Sequence, residues 1–556
     1  MQTIFRKTAL EIFNSAKNSN NLITDKEQIR TLSETDKTTL TARPWSKDVY
    51  SSWGCPVFVT KLTARSPDST KIIWEASEEH AKLLQEVKEY LAGKQLIAMD
   101  RQMGMAENHS YFCRTLITKE YARLAHMWKS LLLPVSKTEP LLPEGKEPDT
   151  LIISIPEWGE VKGKQIILVD PNGSTTFSLG FDYVGEVKKG HLRMAMYNQK
   201  MRYKETNGKL GGLGMHAGAK LARMRDASGK LVEKGFVFFG LSATGKTTHT
   251  FHHWWLDETN GEQITIKQDD FGTLTKDGRF IGTEQGCYLK LDGLARDSQQ
   301  LLYDAVRNGG KRVSLENVYV DKETNEPDFN KFEHFYTGRT TNSRGVIPST
   351  LFGKYFDENS IDLEYVDAIF FITRRNSIIP AITKLVSPEQ AAAFFVLGES
   401  VHSSASTSDP NKIGQSIRCV GTNPFIVGSE AEEGNIFLEM IESINSERQK
   451  AGKQELEIYL LNTGSVGAVS PQDKGIKLTI EDSVNSIKAI AKGGVEWVLD
   501  EQWGYMVPKE LKELTKTSST LQSSTMQKPT RSSQKTCAQS ASRGSKTTKK
   551  TGSTRK

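Results

Sequence analysis

The chain has 556 residues, with 73 Lys and Arg against 67 Asp and Glu, so its formal net charge is +6. Hydrophobic residues make up 37% and charged residues 25%, which is typical of a folded globular protein and excludes a fibrous or wholly disordered chain. At about 100–200 residues per domain, this length predicts two or three domains.

The positive charge belongs to the C-terminal tail. Residues 516–556 contain ten Lys and Arg and no Asp or Glu, which leaves 63 basic against 67 acidic residues, a net charge of −4, for residues 1–515. Ser and Thr supply 19 of these 41 tail residues, so we expect residues 516–556 to be disordered. Nucleic acid is therefore not an expected partner of the body, and the tail could bind a polyanion only weakly.

Cysteine usage and hydropathy set further bounds. The five cysteines are widely spaced and form no CxxC pair, which argues against both a disulfide framework and a zinc module. No apolar run approaches the roughly 20 residues of a membrane helix, and the first residues lack the apolar core of a signal peptide. The sequence thus predicts a cytoplasmic protein without a membrane partner.

Element patterns along the chain predict an α/β fold. Residues 1–50 are polar with scattered apolar positions, and residues 78–93 have helical spacing that places Leu83, Leu84, Val87 and Leu91 on one face. From residue 150 onward, short apolar runs such as LIISI, QIILV and FVFF alternate with Gly, Asp and Asn, as in sheet-rich regions. A composition shift at 228–235 predicts a boundary between an N-terminal domain, 1–230, and a nucleotide-binding domain, 231–515.

A complete GxxxxGK[ST] pattern follows the strongest strand signal. The loop comprises Gly240, Leu241, Ser242, Ala243, Thr244, Gly245, Lys246, Thr247 and Thr248. Its glycines let backbone N–H groups surround phosphate oxygens, Lys246 neutralises phosphate charge, and the Thr247 hydroxyl can bind Mg²⁺. A nucleoside triphosphate is the predicted ligand.

Two adjacent carboxylates follow about twenty residues later. Asp269 and Asp270 end an alternating strand that contains Ile264 and Ile266. An acidic pair at a strand end, after a phosphate loop, is typical of the metal-binding carboxylates of nucleotide enzymes. An ordinary turn is the alternative for an isolated DD pair.

The loop GLSATGKTT resembles the GLSGTGKTT loop of ATP-type phosphoenolpyruvate carboxykinases. Further segments are similar to that family in the same order: LTARSPDSTK at 62–71, DYVGEVKKG at 182–190, GMHAGAK at 214–220, EQGCYLK at 284–290, NSRGVIP at 342–348 and LNTG at 461–464. The resemblance implies a two-lobed carboxykinase-like fold, with a mixed α/β N-terminal domain, a P-loop C-terminal domain and the active site between them.

The resemblance also implies roles for single residues. Arg65 would bind a substrate carboxylate, with Tyr183 and Lys188 as further substrate contacts. Lys189, His216 and Asp270 would hold Mn²⁺, whereas Thr247 and Asp269 would hold Mg²⁺. Lys290 and Arg344 would bind phosphate, and Arg418 and Thr422 correspond to the base-binding region. The implied catalytic set is Arg65, Tyr183, Lys188, Lys189, Lys246, Asp270 and Arg344.

The implied reaction is ATP-dependent decarboxylation and phosphorylation of oxaloacetate to phosphoenolpyruvate, CO₂ and ADP. This chain departs from the family at three places. DDFG stands where the family has DDEHGW, Ala243 replaces a glycine, and Arg418 and Thr422 are four residues apart instead of six. These departures place the chain on a divergent branch of the family.

Other interpretations stay open at this point. The altered motifs are compatible with a kinase of the same fold that acts on another metabolite or on a protein, and the basic tail with a nucleic-acid-binding ATPase. Taken singly, the Lys188–Lys189 pair could be an exposed basic pair and His216 a structural residue. The Gly- and Ser-rich stretch 398–416 is a candidate lid by composition, or else a surface connection.

Overall fold

The computed structural model describes residues 2–36, 38–60, 69–240, 244–333, 342–375, 379–401, 415–418, 425–468 and 475–509. Several predictions fall outside these ranges: the role of Arg65, the loop residues Leu241, Ser242 and Ala243, the role of Thr422, most of the candidate lid, and the disordered tail.

Eleven α-helices occur in the described ranges: α1 (Ile4–Asn18), α2 (Lys26–Glu34), α3 (Glu78–Leu91), α4 (Ala122–Trp128), α5 (Trp158–Lys162), α6 (Val184–Glu205), α7 (Lys246–Phe251), α8 (Gln300–Asn308), α9 (Pro388–Val396), α10 (Glu430–Lys450) and α11 (Ile480–Lys492).

The strands of the first half are β1 (Leu22–Ile23), β2 (Val57–Phe58), β3 (Thr70–Ile72), β4 (Leu96–Met103), β5 (Tyr111–Thr118), β6 (Leu133–Pro134), β7 (Thr150–Ile155), β8 (Ile166–Asp170), β9 (Thr175–Leu179), β10 (Leu213–Met215), β11 (Ala217–Arg225), β12 (Leu231–Phe239), β13 (Gln263–Gln268) and β14 (Gly272–Leu274). Those of the second half are β15 (Phe280–Gly282), β16 (Gly286–Lys290), β17 (Ser314–Glu316), β18 (Tyr319–Val320), β19 (Pro327–Asp328), β20 (Arg344–Pro348), β21 (Ala368–Thr373), β22 (Ile382–Lys384), β23 (Glu399–Val401), β24 (Ser416–Arg418), β25 (Glu457–Asn462), β26 (Ser465–Val466), β27 (Ile476–Lys477), β28 (Trp497–Asp500) and β29 (Tyr505–Pro508).

An eight-stranded sheet organises the N-terminal half, with the order β1-β4-β5-β7-β9-β8-β3 and β6 beside β4. Helices cover both faces, so its central strands β4, β5, β7 and β9 are buried along almost their whole length on both faces. One face packs against α1 and α3, and the other against α2, α4 and α6. The helix predicted at 78–93 is confirmed as α3, whose predicted face has Leu84, Val87 and Leu91 buried.

A second eight-stranded sheet organises the C-terminal half, in the order β13-β11-β12-β21-β25-β22-β29-β28. Its central strands β12, β21 and β25 are parallel. Side chains of one face pack with α7, α8 and α11, and those of the other with α9 and α10. Because ligands of such sheets bind beyond the carboxyl ends of the parallel strands, the loop after Phe239 lies at the edge where a site is expected.

Strands from the N-terminal half of the chain pair with strands from the C-terminal half. Strands β11 and β12 form an antiparallel hairpin, so pairing runs across residue 230. Strand β2, from the N-terminal half, pairs with β17 in a small sheet of order β16-β20-β17-β2. The mixed α/β class is confirmed, whereas the division at residue 230 stays a prediction.

Among the described residues, none of the helices combines the length and the apolar composition that a membrane crossing demands.

Candidate functional site

The phosphate loop joins β12 to α7, as the sequence pattern requires. Gly245 precedes α7 with φ of 107°, a left-handed conformation that favours glycine. Lys246 Nζ donates to the Asp270 backbone oxygen over 3.1 Å and forms an ion pair with the Asp270 carboxylate. The Thr463 hydroxyl donates to the Thr244 carbonyl oxygen over 2.5 Å, which ties the loop to the LNTG segment after β25.

Three predicted site residues meet at one carboxylate. Besides Lys246, Lys188 Nζ of α6 lies 2.8 Å from Asp270 Oδ2, and His216 Nε2 lies 2.9 Å from Asp270 Oδ1. We call Asp270, Lys188, His216 and Lys246 the Asp270 cluster. It unites residues that are up to 82 positions apart in the chain.

Asp269 points to a neighbouring position and has a different partner. Its Oδ1 accepts a hydrogen bond from the Thr247 hydroxyl over 3.1 Å. Burial and the charge of Asp270 raise the pKa of Asp269 to about 6. Burial alone would raise the pKa of Asp270 too, but the charges of Lys188 and Lys246 hold it well below its usual range. The adjacent carboxylates are therefore electrostatically distinct.

The cationic side of the cluster is also perturbed. Burial lowers the pKa of Lys246, as does the charge of Lys188. Burial and the charge of Lys246 lower the pKa of His216, which keeps its imidazole neutral and able to bind a metal. Lys188 and His216 are buried, so the reading of the lysine pair as fully exposed is wrong for Lys188.

Glu284 completes the surroundings of Lys188 and was missed in the sequence, although it opens the EQGCYLK segment. Its Oε1 lies 3.2 Å from Lys188 Nζ. Burial, together with the charges of Asp270 and Asp269, raises the pKa of Glu284 to about 8 despite that contact. Lys188 therefore bridges the buried Glu284 carboxyl group and the partly exposed Asp270 carboxylate.

Lys189 and Tyr183 lie beside the cluster. Lys189 Nζ is 3.2 Å from Glu186 Oε1 and 5.4 Å from the Tyr183 ring centroid. The Asn342 side-chain amide donates to the Tyr183 hydroxyl over 3.2 Å. Thus, of the adjacent pair, Lys188 and not Lys189 contacts Asp270, and the metal-ligand role of Lys189 stays a prediction.

The two predicted phosphate-binding cations face each other across strands. Lys290 of β16 and Arg344 of β20 are register partners in an antiparallel pair. Lys290 Nζ lies 3.0 Å from Asp292 Oδ2, and the Arg344 guanidinium lies 5.5 Å from the Tyr288 ring centroid. The Nε of Arg344 is buried and has no hydrogen-bond partner among the described residues, so an anion beside it would satisfy a donor.

Close packing fixes the distance between α7 and the acidic pair. A Cβ atom on Gly218 of β11 would lie 2.1 Å from Thr250 Oγ1 and 2.7 Å from the Asp269 carbonyl oxygen. Beneath the same helix, Lys220 Nζ donates to the carbonyl oxygens of His249 and His252, and burial lowers its pKa well below the usual range. Lys220 thus satisfies backbone groups at the C-terminal end of α7.

The DDFG departure has a packing explanation. Phe271 is fully buried and lies 6.0 Å, between ring centroids, from Phe425. It takes part in the core beneath α6 instead of presenting a polar group to the cluster. Phe271 stands where the family has an acidic residue, and this replacement leaves the contacts of Asp269 and Asp270 described above intact.

Other nucleotide-side residues are only partly placed. Arg418 ends β24, which pairs with β23, while Leu241, Ser242, Ala243, Thr422 and Arg65 lie outside the described residues. The Thr248 hydroxyl donates to Gln299 Oε1 over 3.1 Å. No sequence signal indicated that Gln299 lies beside the phosphate loop.

The donor atoms fit divalent metal ions. His216 Nε2 and the Asp270 carboxylate converge, and the buried Nδ1 of His216 has no hydrogen-bond partner among the described residues. In the described ranges, no group of three or more His, Cys, Asp or Glu could hold a metal ion. A metal bound by His216 and Asp270 would therefore need a further ligand that is not His, Cys, Asp or Glu. A lysine nitrogen is the donor of another kind that lies beside Asp270. The Thr247 hydroxyl and Asp269 supply oxygen donors of the kind that Mg²⁺ prefers.

A phosphate loop beside a buried acidic pair defines a class: enzymes that bind a nucleoside triphosphate together with a metal. Comparison with known proteins narrows this class. The family model for ATP-type phosphoenolpyruvate carboxykinase matches residues 58–517. The chain belongs to this family, and the resemblance seen in its motifs is confirmed.

Three relatives illustrate the distance within the family. Phosphoenolpyruvate carboxykinase (ATP) of Aeropyrum pernix is 30% identical over 81% of this chain and 81% of its own length. The enzyme of that name from Sulfurimonas denitrificans is 27% identical over 81% of this chain and 78% of its own length. The glycosomal one of Trypanosoma brucei brucei is 28% identical over 72% and 75%. The chain is thus a divergent member.

Proposed function

We propose that this enzyme converts oxaloacetate and ATP to phosphoenolpyruvate, CO₂ and ADP. The observation that carries the proposal is the convergence of Lys188, His216 and Lys246 on Asp270, next to the Thr247–Asp269 pair. In a chain of this family, that arrangement puts the phosphate loop and the substrate-side Lys188 around one carboxylate.

Substrate recognition is assigned to cations beside α6. Arg65 would bind one carboxylate of oxaloacetate, because a guanidinium is permanently charged and can bind a carboxylate through two parallel hydrogen bonds. Lys188 would attract the developing negative charge from its place between Asp270 and Glu284. Tyr183, held by Asn342, would orient the substrate.

Loss of CO₂ from oxaloacetate leaves an enolate, whose oxygen attacks the γ-phosphorus of ATP while the bond to the ADP oxygen breaks. Lys246 would neutralise the transferred phosphoryl group, and Lys290 and Arg344 would balance its equatorial oxygens. Gly240 to Thr248 would surround the remaining phosphates, and Arg418 and Thr422 would lie at the base. No protein nucleophile is required.

Two metal sites belong to the proposal. Lys189, His216 and Asp270 would hold Mn²⁺, and Thr247 and Asp269 would hold Mg²⁺. When bound, these ions supply Lewis-acid stabilisation of the enolate and charge neutralisation of the phosphates. The ion pair of Lys189 with Glu186 is the contact that Lys189 would give up.

The finer arrangement is proposed as well. Residues 1–230 and 231–515 would form two lobes, the second with the phosphate loop, and the active site would lie between them. The enzyme would act in the cytoplasm, and residues 516–556 would take no part in catalysis.

A coupled assay for phosphoenolpyruvate, with oxaloacetate, ATP and Mn²⁺, tests the function. We expect activity in the wild type and in a protein truncated after Leu514, and loss of it in Lys246→Ala and Lys189→Ala. Lys450→Ala is the matched control, because Lys450 forms only an exposed pair with Glu447.

The outcome also separates the alternatives. ATP hydrolysis without phosphoenolpyruvate formation by the wild type would contradict the proposal and favour a different phosphoryl acceptor. Binding of Mn²⁺, followed by its electron paramagnetic resonance signal, tests the metal ligands independently. Lys189→Ala should weaken binding at least about tenfold, and an unchanged affinity would remove Lys189 from the ligand set.

A further inference from the structure

A second set of buried charges lies next to the site, and of its members only Asp182 belongs to a segment that resembles the family. Arg123 of α4 is fully buried, and its Nη1 lies 2.9 Å from Glu316 Oε1. Its Nη2 donates to the Asp182 carbonyl oxygen and lies 3.1 Å from Asp182 Oδ2. Its Nε donates to the Thr38 hydroxyl over 2.5 Å. We call Arg123, Thr38, Asp182 and Glu316 the Arg123 cluster.

On one side, the cluster fixes the start of α6. Asp182 immediately precedes Tyr183, which is the N-cap residue of α6. Lys188 and Lys189 lie on the following turns of that helix. Because Arg123 binds both the backbone and the side chain of Asp182, it restrains the position from which Tyr183 and the two lysines project.

On the other side, the cluster fixes the small sheet. Glu316 is the register partner of Arg344 in the antiparallel pair of β17 and β20. Its second carboxylate oxygen, Oε2, accepts a hydrogen bond from the Tyr288 hydroxyl over 2.5 Å. Arg123 and Tyr288 therefore bind opposite oxygens of one buried carboxylate.

Tyr288 carries this restraint into the site. Its ring centroid lies 5.9 Å from Lys188 Nζ, 5.5 Å from the Arg344 guanidinium and 6.0 Å from the Tyr183 ring centroid. Lys188 and Arg344 lie over the Tyr288 ring, whose electron-rich face attracts cations. The position of Tyr288 thus affects two groups assigned to the substrate, Lys188 and Tyr183, and one assigned to the transferred phosphate, Arg344.

We propose that Arg123 is a positioning residue for the reaction: through Asp182 and through Glu316 and Tyr288, it holds the α6 side and the Arg344 side of the substrate site at a fixed separation. The inference rests on the proposed function. Arg123 itself touches no reacting atom, and a small shift in the separation would misalign the enolate oxygen and the phosphoryl group.

Two conservative variants test the inference. Arg123→Lys keeps the charge but cannot bind three partners at once, and Tyr288→Phe keeps the ring but removes the bond to Glu316. We expect each to lower kcat for phosphoenolpyruvate formation by about 10- to 100-fold. KM for ATP should change less than about threefold, because the phosphate loop is tied to Asp270 and Thr463 instead.

The control is an equally buried arginine elsewhere in the N-terminal sheet. Arg114 binds Asp100 through Nε and Nη2 at 2.7 and 2.6 Å. Arg114→Lys should lower the melting temperature as much as Arg123→Lys while leaving kcat within about twofold of wild type. An equal loss of kcat in Arg114→Lys would show a general effect of destabilisation and overturn the inference.

A double-mutant cycle sharpens the test. Because Arg123→Lys disturbs the contacts with Asp182 and Glu316 together and Tyr288→Phe breaks only a contact of Glu316, the double variant should cost little more than Arg123→Lys alone. Additive losses, or wild-type kcat in Tyr288→Phe, would overturn the inference while the wild type stays active. If Arg123→Lys does not fold, the kcat of Tyr288→Phe decides the test by itself. An inactive wild type would refute the proposed function, and this inference with it.

Discussion

The Asp270 cluster and the Arg123 cluster are both buried sets of charges, yet they differ in access. The Asp270 side chain is 21% exposed, whereas the side chains of Arg123 and Glu316 are 0% exposed. Solvent therefore contacts part of the Asp270 side chain and none of the Arg123 and Glu316 side chains. This difference suits the ligand-binding role proposed for Asp270 and the positioning role proposed for Arg123.

The cations differ in the same sense. The Asp270 cluster uses lysines and a histidine; an ammonium group is a compact charge without a fixed donor geometry, so it can exchange a carboxylate for a phosphate. The Arg123 cluster uses one guanidinium, whose planar donors bind several partners in fixed directions. Under the proposal, the lysines and the histidine around Asp270 make the contacts that change when a ligand binds, and Arg123 makes contacts that stay fixed.

The largest effect is expected from Asp270→Asn. The change removes the charge contacted by Lys188, His216 and Lys246, so kcat should fall at least about 10³-fold. The free energy of unfolding should fall by only about 1 kcal/mol, because the amide oxygen still accepts hydrogen bonds and Lys188 retains Glu284. Steady-state kinetics and urea unfolding measure the two quantities, and a large loss of stability would contradict the distinction between the clusters.

A smaller but purely structural effect is expected from Arg123→Met. It leaves Asp182 and Glu316 buried without their cation, so the free energy of unfolding should fall by about 3 to 5 kcal/mol. Arg30→Met is the comparison, since Arg30 pairs with Glu27 and Glu34 near the surface and should cost less than about 1 kcal/mol. Similar urea midpoints for the two variants would show that the Arg123 cluster stabilises nothing.

The smallest effect concerns a buried group that carries no charge. His191 of α6 lies between the hydroxyls of Thr115 and Thr150, at 2.9 and 2.7 Å, and stacks on Trp128. Burial lowers the pKa of His191 to about 3. The unfolded chain, with a histidine pKa of about 6.5, binds the proton more readily, so stability is lost as the pH falls below 6.5.

The size of that loss is about 1.4 kcal/mol per pH unit between pH 6 and pH 4. The measurement is the difference in unfolding free energy between wild type and His191→Gln across this range. It should shrink steadily toward acid pH as the wild type loses its advantage. A difference independent of pH would mean that His191 has the same pKa in the folded and unfolded protein, and would contradict the prediction.

Much of the fold could be predicted because its signals are local. The helical spacing of residues 78–93 located α3, and the apolar run before the phosphate loop located β12. The composition shift at 228–235 marks the polar turn of the hairpin formed by β11 and β12. Polar residues are common to tight turns and to linkers, so composition alone could not distinguish the two.

The site could be predicted only as far as short motifs extend. Segment resemblance brought together Asp270, Lys188, His216 and Lys246, which the structure places in contact. It could not show that Lys188 takes the place beside Asp270, since adjacent helical residues differ by a rotation that depends on packing. The Arg123 cluster joins residues 38, 123, 182 and 316, and no periodicity relates positions so far apart.

Gly218 is a position at which packing leaves no room for a side chain. Relatives at 24–30% identity show that most positions in the family have changed. A single added methyl group at Gly218 would collide with Thr250 on α7 and with the backbone of Asp269. Even alanine would therefore move the phosphate loop relative to the acidic pair, so the mutational tolerance of this position should be close to zero.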